Sequence, residues 1–354
     1  MLAALLLACA ASVAFAQDYP VDPNPRPMFA AGRRPATVTP PAGKQLVQWN
    51  GTFTDLTHRK IAFTMVGTDP STTNVTTTVP VWIIPIKMVF DKNHGNMVFD
   101  PKHKLTNGQT VIQNILTSPI FQSAIDFKQG PTDLGKTQYI DAFQRGTWWG
   151  KNVKKNNKYH VLLKPVMKPE QTINCTDSSC AVRFEGFLAG LADINYYDGQ
   201  VQTFMTKLGA TPDVLPLFIF YDTYLTQNGG QCCVGGYHFA NGSQPTGQTY
   251  SNAAYVDHVG MFSQDVSALS HELGEWMDDP FVDNRVNCQD NGIMEVGDPL
   301  EGHANFGGFR YKLHGFTYNL QSLVFVGYFG APTSDSANKW LSFQNDEKNV
   351  CPGQ

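Results

Sequence analysis

The residues of this 354-residue chain best suited to chemistry lie in the segment 265–280, Asp-Val-Ser-Ala-Leu-Ser-His-Glu-Leu-Gly-Glu-Trp-Met-Asp-Asp-Pro. Its apolar residues recur at steps of three and four, which predicts an amphipathic helix with one apolar stripe. On such a helix His271 and Glu275 lie one turn apart, roughly opposite the stripe, with Glu272 beside them. The helix would therefore hold an imidazole and a carboxylate side by side.

This spacing is similar to the His-Glu-x-x-His pattern, in which two residues one turn apart bind zinc and the intervening glutamate acts as general base. Here Glu275 stands in the position of the second histidine, and a carboxylate oxygen is an ordinary zinc ligand. We therefore expect His271 and Glu275 to bind a metal ion and Glu272 to be the catalytic base. The simpler alternative is an amphipathic helix whose acidic face is solvated.

The ends of the predicted helix carry signals of their own. Ser263 and Asp265 suit the N-cap and the first turn, and Pro280 ends the helix. Asp278 and Asp279 then fall in the last turn, where the helix dipole disfavours anions. Because these acids follow two glutamates so closely, the sequence predicts a cation nearby.

A zinc site needs a third protein ligand, and a catalytic site leaves the fourth coordination position open. Beyond Pro280, the segment 291–302 brings Glu295, Asp298 and Glu301 together among glycines and a proline. This composition predicts a loop, which can fold back under the helix. Glu295 and Asp298 are the best candidates by position, and the choice between them stays open.

Apolar and β-branched runs elsewhere predict one α+β domain spanning residues 46–354. We expect helices at 110–127, 137–149 and 201–208, and strands at 51–55, 79–90, from 159, at 214–221 and 320–328, with a strand pair at 233–240 and 249–257 leading into the central helix. Residues 17–45 are rich in Pro, Gly and Arg and lack periodicity, which predicts an extended or flexible leader.

The N-terminus predicts export. Residues 1–16 are apolar, carry no charge and end in Ala-Phe-Ala, as a secretory signal peptide does. No later apolar run is long enough to span a membrane, so we expect a secreted or periplasmic protein with no membrane span. The net charge of −4 and the lack of a basic patch argue against a nucleic-acid partner.

The six cysteines that follow the predicted signal peptide also fit export, because an even number suggests disulfides. Cys175 and Cys180 flank a turn sequence and are expected to pair. Cys288 and Cys351 are the next partners. Adjacent cysteines seldom bond to each other, so no bond is expected within the remaining pair, Cys232 and Cys233.

The order Ser-His-Glu-Leu-Gly-Glu-Trp-Met-Asp-Asp-Pro, then Met-Glu-Val-Gly-Asp, resembles a group of exported proteins that includes the plant phosphate-induced, EXORDIUM-like proteins and bacterial and fungal relatives. The likeness covers roughly the last third of the chain, which departs from the pattern at Cys288 and Pro299. It implies a zincin-like α+β fold, with a mixed β-sheet, a central metal-binding helix and disulfide-linked loops. The positions it matches are His271, Glu272, Glu275, Asp279, Glu295 and Asp298, with an upstream match at Gly236-Tyr237-His238 and a looser likeness at 135–149.

Residues and resemblance together predict an exported zinc-dependent peptidase acting on a protein or peptide, with Asp279 and His238 supporting the ligands. A core or hydrogen-bonded histidine is the commoner interpretation of His238, and an oxyanion donor directed into the cleft is the alternative. The alternative is a non-catalytic extracellular protein that binds a cell-wall component and holds a structural zinc or calcium ion. Calcium would suit the oxygen-rich set Asp279, Asp283, Asp290, Glu295 and Asp298, whereas the imidazole of His271 favours zinc.

Overall fold

A computed structural model describes residues 28–36, 41–154, 157–228, 230–288 and 292–351. The predicted signal peptide, the first part of the leader and Asp290 lie outside these ranges. The helices are Val111–Leu116 (α1), Tyr139–Thr147 (α2), Ile194–Leu208 (α3) and Ser267–Asp278 (α4). The strands are Met28–Arg34 (β1), Gln48–Thr54 (β2), Lys60–Val66 (β3), Thr76–Phe90 (β4), Val98–Phe99 (β5), Ile125–Gln129 (β6), Thr132–Thr137 (β7), His160–Met167 (β8), Gln171–Cys175 (β9), Cys180–Phe184 (β10), Leu188–Asp193 (β11), Leu215–Tyr221 (β12), Thr223–Gln227 (β13), Gln231–Asn241 (β14), Gln248–Tyr255 (β15), Gly308–Leu313 (β16) and Phe316–Gln321 (β17).

An 11-stranded mixed sheet forms the centre of the fold, in the order β10-β11-β13-β14-β15-β12-β4-β5. Strand β1 runs parallel to β14, and β8 and β9 run parallel to successive halves of β4. β4 is 15 residues long and rich in Thr, Val and Ile, residues that suit a buried, pleated surface. The predicted α+β class, the mixed sheet and the antiparallel pair β14–β15 before α4 are confirmed.

Helices cover both faces of this sheet. In a strand, neighbouring side chains point to opposite faces. His238 of β14 lies 3.4 Å from Glu272 of α4, whereas the preceding residue, Tyr237, donates a hydrogen bond of 2.8 Å to Asp198 of α3. α4 therefore lies on one face of the sheet and α3 on the other.

Helix α4 is buried on all sides. Every residue from Ala268 to Asp278 is buried, so the apolar stripe and the acidic face are both shielded from solvent. The Trp276 indole also donates a hydrogen bond of 3.0 Å to Thr249 of β15. Burial excludes the reading of α4 as a surface helix with a solvated acidic face.

The start of α4 differs from prediction. Val266 is the N-cap residue, and no side chain caps the helix. Asp265 instead accepts hydrogen bonds from the backbone N–H of Val266 and from Asn319 on β17. Its carboxylate thus joins the start of the helix to a distant strand, a role that sequence spacing does not reveal.

Three further expectations need correction. The helix expected at 110–127 ends as α1 at Leu116, and Ile125 already begins β6, because the intervening Pro119 disfavours a continuous helix. The strand expected at 320–328 is limited to the end of β17 at Gln321 and a single bridge at Val324. Residues 28–34, assigned to the leader, form β1 of the main sheet.

Six cysteines pair at disulfide distance: Cys175 with Cys180, Cys288 with Cys351, and Cys232 with Cys233. The first two pairs were predicted. The expectation that adjacent Cys232 and Cys233 would not bond is wrong. The Cys288–Cys351 pair joins the segment after α4 to the C-terminal segment, which places one cross-link close in sequence to Glu295 and Asp298.

Candidate metal centre

Three elements converge on one cluster of ligand-type side chains. Helix α4 supplies His271, Glu272 and Glu275, and strand β14 supplies His238. The loop between α4 and β16 supplies Glu295 and Asp298. The periodicity of α4 sets its three side chains on one side, while alternation along β14 turns His238 toward the helix.

The first half of the cluster surrounds His271. Its Nε2 lies 3.0 Å from Glu275 Oε1 and 3.4 Å from Asp298 Oδ1. Glu275 Oε1 also accepts backbone N–H groups from Gly297, at 3.1 Å, and Asp298, at 3.3 Å. These two bonds hold the loop against α4 and fix the direction of the Glu275 carboxylate.

The second half surrounds His238. Its Nδ1 lies 3.4 Å from Glu272 Oε2, 3.6 Å from Glu275 Oε2 and 3.9 Å from Glu295 Oε2. Glu275 is thus common to both halves, with one oxygen directed to each histidine. His238, which the sequence analysis placed among the supporting residues, lies as close to the carboxylates as a ligand would.

Several polar atoms of the cluster have no hydrogen-bond partner although they are buried. Both ring nitrogens of His238 and both carboxylate oxygens of Glu272 are in this state, as are Glu275 Oε2 and Glu295 Oε1. Buried polar groups normally have partners, because an unpaired one costs about 1–3 kcal/mol. Atoms of this kind directed into one cluster are those that a bound cation would satisfy.

Two glycines allow the backbone to approach the cluster. A Cβ atom at Gly297 would lie 2.4 Å from His271 Nδ1, and one at Gly236 would lie 2.7 Å from Glu272 Cγ. Both distances are shorter than carbon contacts allow. Residues larger than glycine would displace the His271 ring or the Glu272 side chain.

Burial and mutual repulsion control protonation in the cluster. Burial raises the pKa of Glu272 and of Glu295 well above the ordinary value, and the neighbouring Glu275 raises both further. Burial lowers the pKa of His271, but the charges of Glu275 and other acids outweigh it and raise that pKa well above the usual range.

The second histidine behaves in the opposite way. Burial, with repulsion from His271, lowers the pKa of His238 to about 3, so its imidazole is neutral and available as a ligand. The cluster without an ion must therefore retain protons on its acids. A divalent cation would take their place, since it supplies the positive charge that the carboxylates otherwise lack.

The donor set fits a metal ion. Within this cluster, three groups have ligand atoms that lie within 4.8 Å of one another: His238 with Glu275 and Glu295, His271 with Glu272 and Glu275, and His271 with Asp298 and Glu301. Glu301 was noted in the sequence but not selected as a ligand. Asp279 lies at the end of α4, where its Oδ1 accepts the N–H groups of Asp283 and Asn284 and so shapes the turn that leads toward the loop.

Two other histidines, and one acid of the calcium alternative, lie outside the cluster. His258 is 44% exposed and lies 3.4 Å from Asp222, and His303 lies 3.8 Å from Glu347. Asp283, part of the calcium alternative, pairs with Arg33 at 2.9 Å. The oxygen-rich set suggested for calcium is therefore only partly assembled at the cluster.

Access to the cluster is narrow. His238, His271, Glu272 and Glu275 are fully buried, and the Asp298 side chain is 21% exposed. The ring of Phe29, on β1, stacks on His271 with centroids 3.5 Å apart. Sequence reasoning missed this contact because β1 lies in a segment without a periodic pattern.

No protein-family model, curated protein or solved structure matches the chain. Within the described ranges, every helix is too short or too polar to cross a membrane.

Proposed function

We propose that this protein is an exported, zinc-dependent peptide hydrolase with a zincin-like active site. The observation that carries the proposal is the Glu272 carboxylate, fully buried and without a hydrogen-bond partner, beside histidine and carboxylate side chains from a helix, a strand and a loop. A carboxylate in this state is suited to accept a proton. The resemblance of the sequence motif supports the same choice of residues.

In this proposal Glu275 and two of the side chains His271, His238, Glu295 and Asp298 hold the ion, so that the fourth coordination position stays open for water. A zinc ion held there would polarise a carbonyl group and activate water. Glu272 acts as general base: it accepts the proton from water and returns it to the leaving amine. Gly297 and Asp298 hold Glu275 through their backbone N–H groups, so the carboxylate keeps its orientation during the reaction.

Two imidazoles in the donor set favour zinc over calcium, which prefers six to eight oxygen ligands. Several carboxylate ligands leave more negative charge on the ion than a three-histidine set would, which weakens it as a Lewis acid. We therefore expect slow turnover or a narrow range of substrates.

A second candidate function is a structural metal site in an extracellular protein that binds a cell-wall component. Complete burial of four cluster residues favours it, because a structural site needs no access for substrate. Export is supported for both candidates by the paired cysteines and by the apolar segment 1–16.

Elemental analysis of the purified full chain and a peptide-library cleavage assay test the proposal together. We expect about one equivalent of zinc in the full chain and, once strand β1 has been removed, cleavage that a chelator abolishes and zinc restores. Bound zinc without cleavage, in a chain whose β1 strand has been released as described below, would support the structural site. Calcium alone, or no metal after supplementation, would refute the zinc assignment.

A further inference from the structure

We propose that β1 is a built-in inhibitory strand: residues 28–34 occupy a peptide-binding groove along β14, beside the metal centre, and must leave before an external peptide can enter. The inference deepens the proposed function, since it concerns access to the same site. It rests on contacts that β1 makes with the edge of β14 and with both helical layers.

The first contact is along the backbone. β1 pairs in parallel with β14 from Val234 to Asn241, in a register that sets Phe29 opposite Gly236 and Ala31 opposite His238. On the same side of β14, strand β13 pairs only as far as Val234. Beyond that residue β1 is the one strand among the described residues that satisfies this edge, so its departure would expose backbone donors and acceptors suited to an extended peptide.

The second contact covers the metal centre. Phe29 stacks on His271 at 3.5 Å between centroids and meets Phe262 edge-on at 5.1 Å. Phe29 therefore occupies the space beside the imidazole that a substrate side chain would need. On the same face, Arg33 pairs with Asp283 at 2.9 Å, just beyond the end of α4.

The third contact anchors the strand on the opposite face. Arg34 pairs with Asp198 at 2.9 Å, and the Asp198 side chain is fully buried. Asp198 Oδ1 also accepts hydrogen bonds from Tyr237 and Tyr250, each at 2.8 Å, and the Arg34 guanidinium lies 5.7 Å from the Phe239 ring centroid. This pocket holds one buried anion with one cationic partner, which makes it selective for a basic residue.

The partial burial of β1 and the exposed segment that follows it both favour displacement of the strand. None of its seven residues is fully buried, whereas the strands next to it in the sheet are almost wholly buried. Residues 41–45, which follow it, are exposed, and a Cβ at Gly43 would touch nothing within 4 Å. A protease can reach this segment, and cutting it would leave β1 held by noncovalent contacts alone.

The occupant that exchanges with β1 is an extended peptide of the same pattern, an aromatic residue followed five positions later by a basic one. The test inserts a site-specific protease sequence at Gly43 of the full chain. A fluorescein-labelled peptide, Met-Phe-Ala-Ala-Gly-Arg-Arg, is then titrated against intact protein and against cleaved protein freed of its N-terminal fragment. We expect binding only after cleavage.

Peptide variants distinguish the specific ion pair with Asp198 from a general preference for positive charge. Replacing the residue equivalent to Arg34 with alanine should weaken binding by about tenfold or more, because Asp198 is then left buried without its cation. Replacing the residue equivalent to Arg33, whose partner Asp283 is partly exposed, should weaken binding by a few-fold only. Equal losses would refute the assigned groove.

In the full chain, Phe29→Ala and Arg34→Ala should increase binding of the labelled peptide without cleavage, whereas Lys44→Ala, which breaks only a solvent-exposed pair with Asp213, should not. Cleaved protein that unfolds on losing the fragment, or that stays folded and binds no peptide, would overturn the proposal. Peptide binding without hydrolysis would leave this inference standing and remove the peptidase function instead.

Discussion

His238 Nδ1 on strand β14 lies 3.6 Å from Glu275 Oε2 on helix α4. Because the other oxygen of Glu275 lies 3.0 Å from His271 Nε2, the carboxylate stands between two imidazoles that come from different layers of the fold. At the proposed metal site we therefore expect metal binding to depend most on Glu275.

The two glutamates of α4 should therefore respond differently to substitution. Glu275→Gln replaces a charged ligand with a poor one and should lower zinc occupancy. Glu272→Gln should keep the metal and reduce hydrolysis by about a hundredfold or more, the scale for loss of a general base. Metal content and cleavage rate of the β1-released protein measure the contrast. Loss of zinc from Glu272→Gln would reverse the assignment of base and ligand.

His238 should be a ligand, although the sequence analysis assigned it only a supporting role. We expect His238→Ala to lower zinc affinity by about a hundredfold or more, because loss of a mere supporting residue already costs about 10–100-fold. His258→Ala is the matched control, since His258 lies on the surface beside Asp222 and should leave affinity unchanged. Competition with a chromogenic chelator provides the measurement, and equal affinities for both variants would exclude His238 from the ligands.

The close approach of the loop to His271 gives a third prediction. Gly297→Ala should lower zinc affinity by about tenfold or more, because its Cβ would lie 2.4 Å from His271 Nδ1. Gly302→Ala, five residues further along the same loop, places its Cβ in open space and should bind zinc normally. Retention of full affinity by Gly297→Ala would mean that the loop moves freely relative to α4.

Asp278 should make stability depend on pH. Burial raises its pKa from 3.8 to about 8; the hydrogen bond from Gln144 opposes this shift and repulsion from Asp279 adds to it. The folded state then binds more protons than the unfolded chain between about pH 4 and pH 8, so stability falls as pH rises through this window.

Asp278→Asn keeps an oxygen for Gln144 and removes the ionisation, so its urea midpoint should fall less between pH 5 and pH 8 than that of the zinc-saturated wild type. Burial raises the pKa of Asp265 to about 7. Asp265 therefore contributes to the pH dependence of the wild type and of Asp278→Asn alike, and its contribution cancels when the two proteins are compared. Tyr159, whose pKa Asp278 helps to raise, stays neutral throughout. Parallel curves for the two proteins would show that Asp278 is ionised in the folded state.

The two predicted cysteine pairs should contribute unequally to stability. Cys288–Cys351 spans 63 residues and Cys175–Cys180 spans 5, and a longer closed loop restricts the unfolded chain more. Chain-entropy arguments give about 4 and about 2 kcal/mol respectively for the free energy of unfolding lost when each pair is replaced by serines. Urea unfolding measures both, and alkylation before reduction should leave the cysteines unmodified. Free thiols in the folded protein would contradict the pairing.

The sequence predicted helix α4 well because its period of 3.6 residues is a local property, and the same period placed His271 and Glu275 together. The loop carrying Glu295 and Asp298 was found from its glycines and its nearness in sequence. His238 was undervalued because a histidine inside a strand has the same local pattern whether it faces a metal or a core.

The remaining misses concern long-range contacts. Phe29 and Arg34 lie in a segment rich in Pro, Gly and Arg, and only pairing with β14, more than 200 residues away, makes it a strand. The burial of α4 on its acidic side depends likewise on β14, on β17 and on the loop around Leu323. No window of local sequence contains these partners.

The position of β4 in the sheet has a consequence for how the chain folds. β4 pairs with β8, in a register that joins Thr76 to His160, and with β12, in a register that joins Val81 to Leu215. These parallel pairings join segments about 84 and about 134 residues apart, so the hairpins β2–β3 and β6–β7 can close long before β4 finds either neighbour. Until residue 160 has been synthesised, β4 can pair only at Met88 and Val89, with β5, and the rest of this apolar strand has no partner, which is the interval in which a chaperone has most to protect.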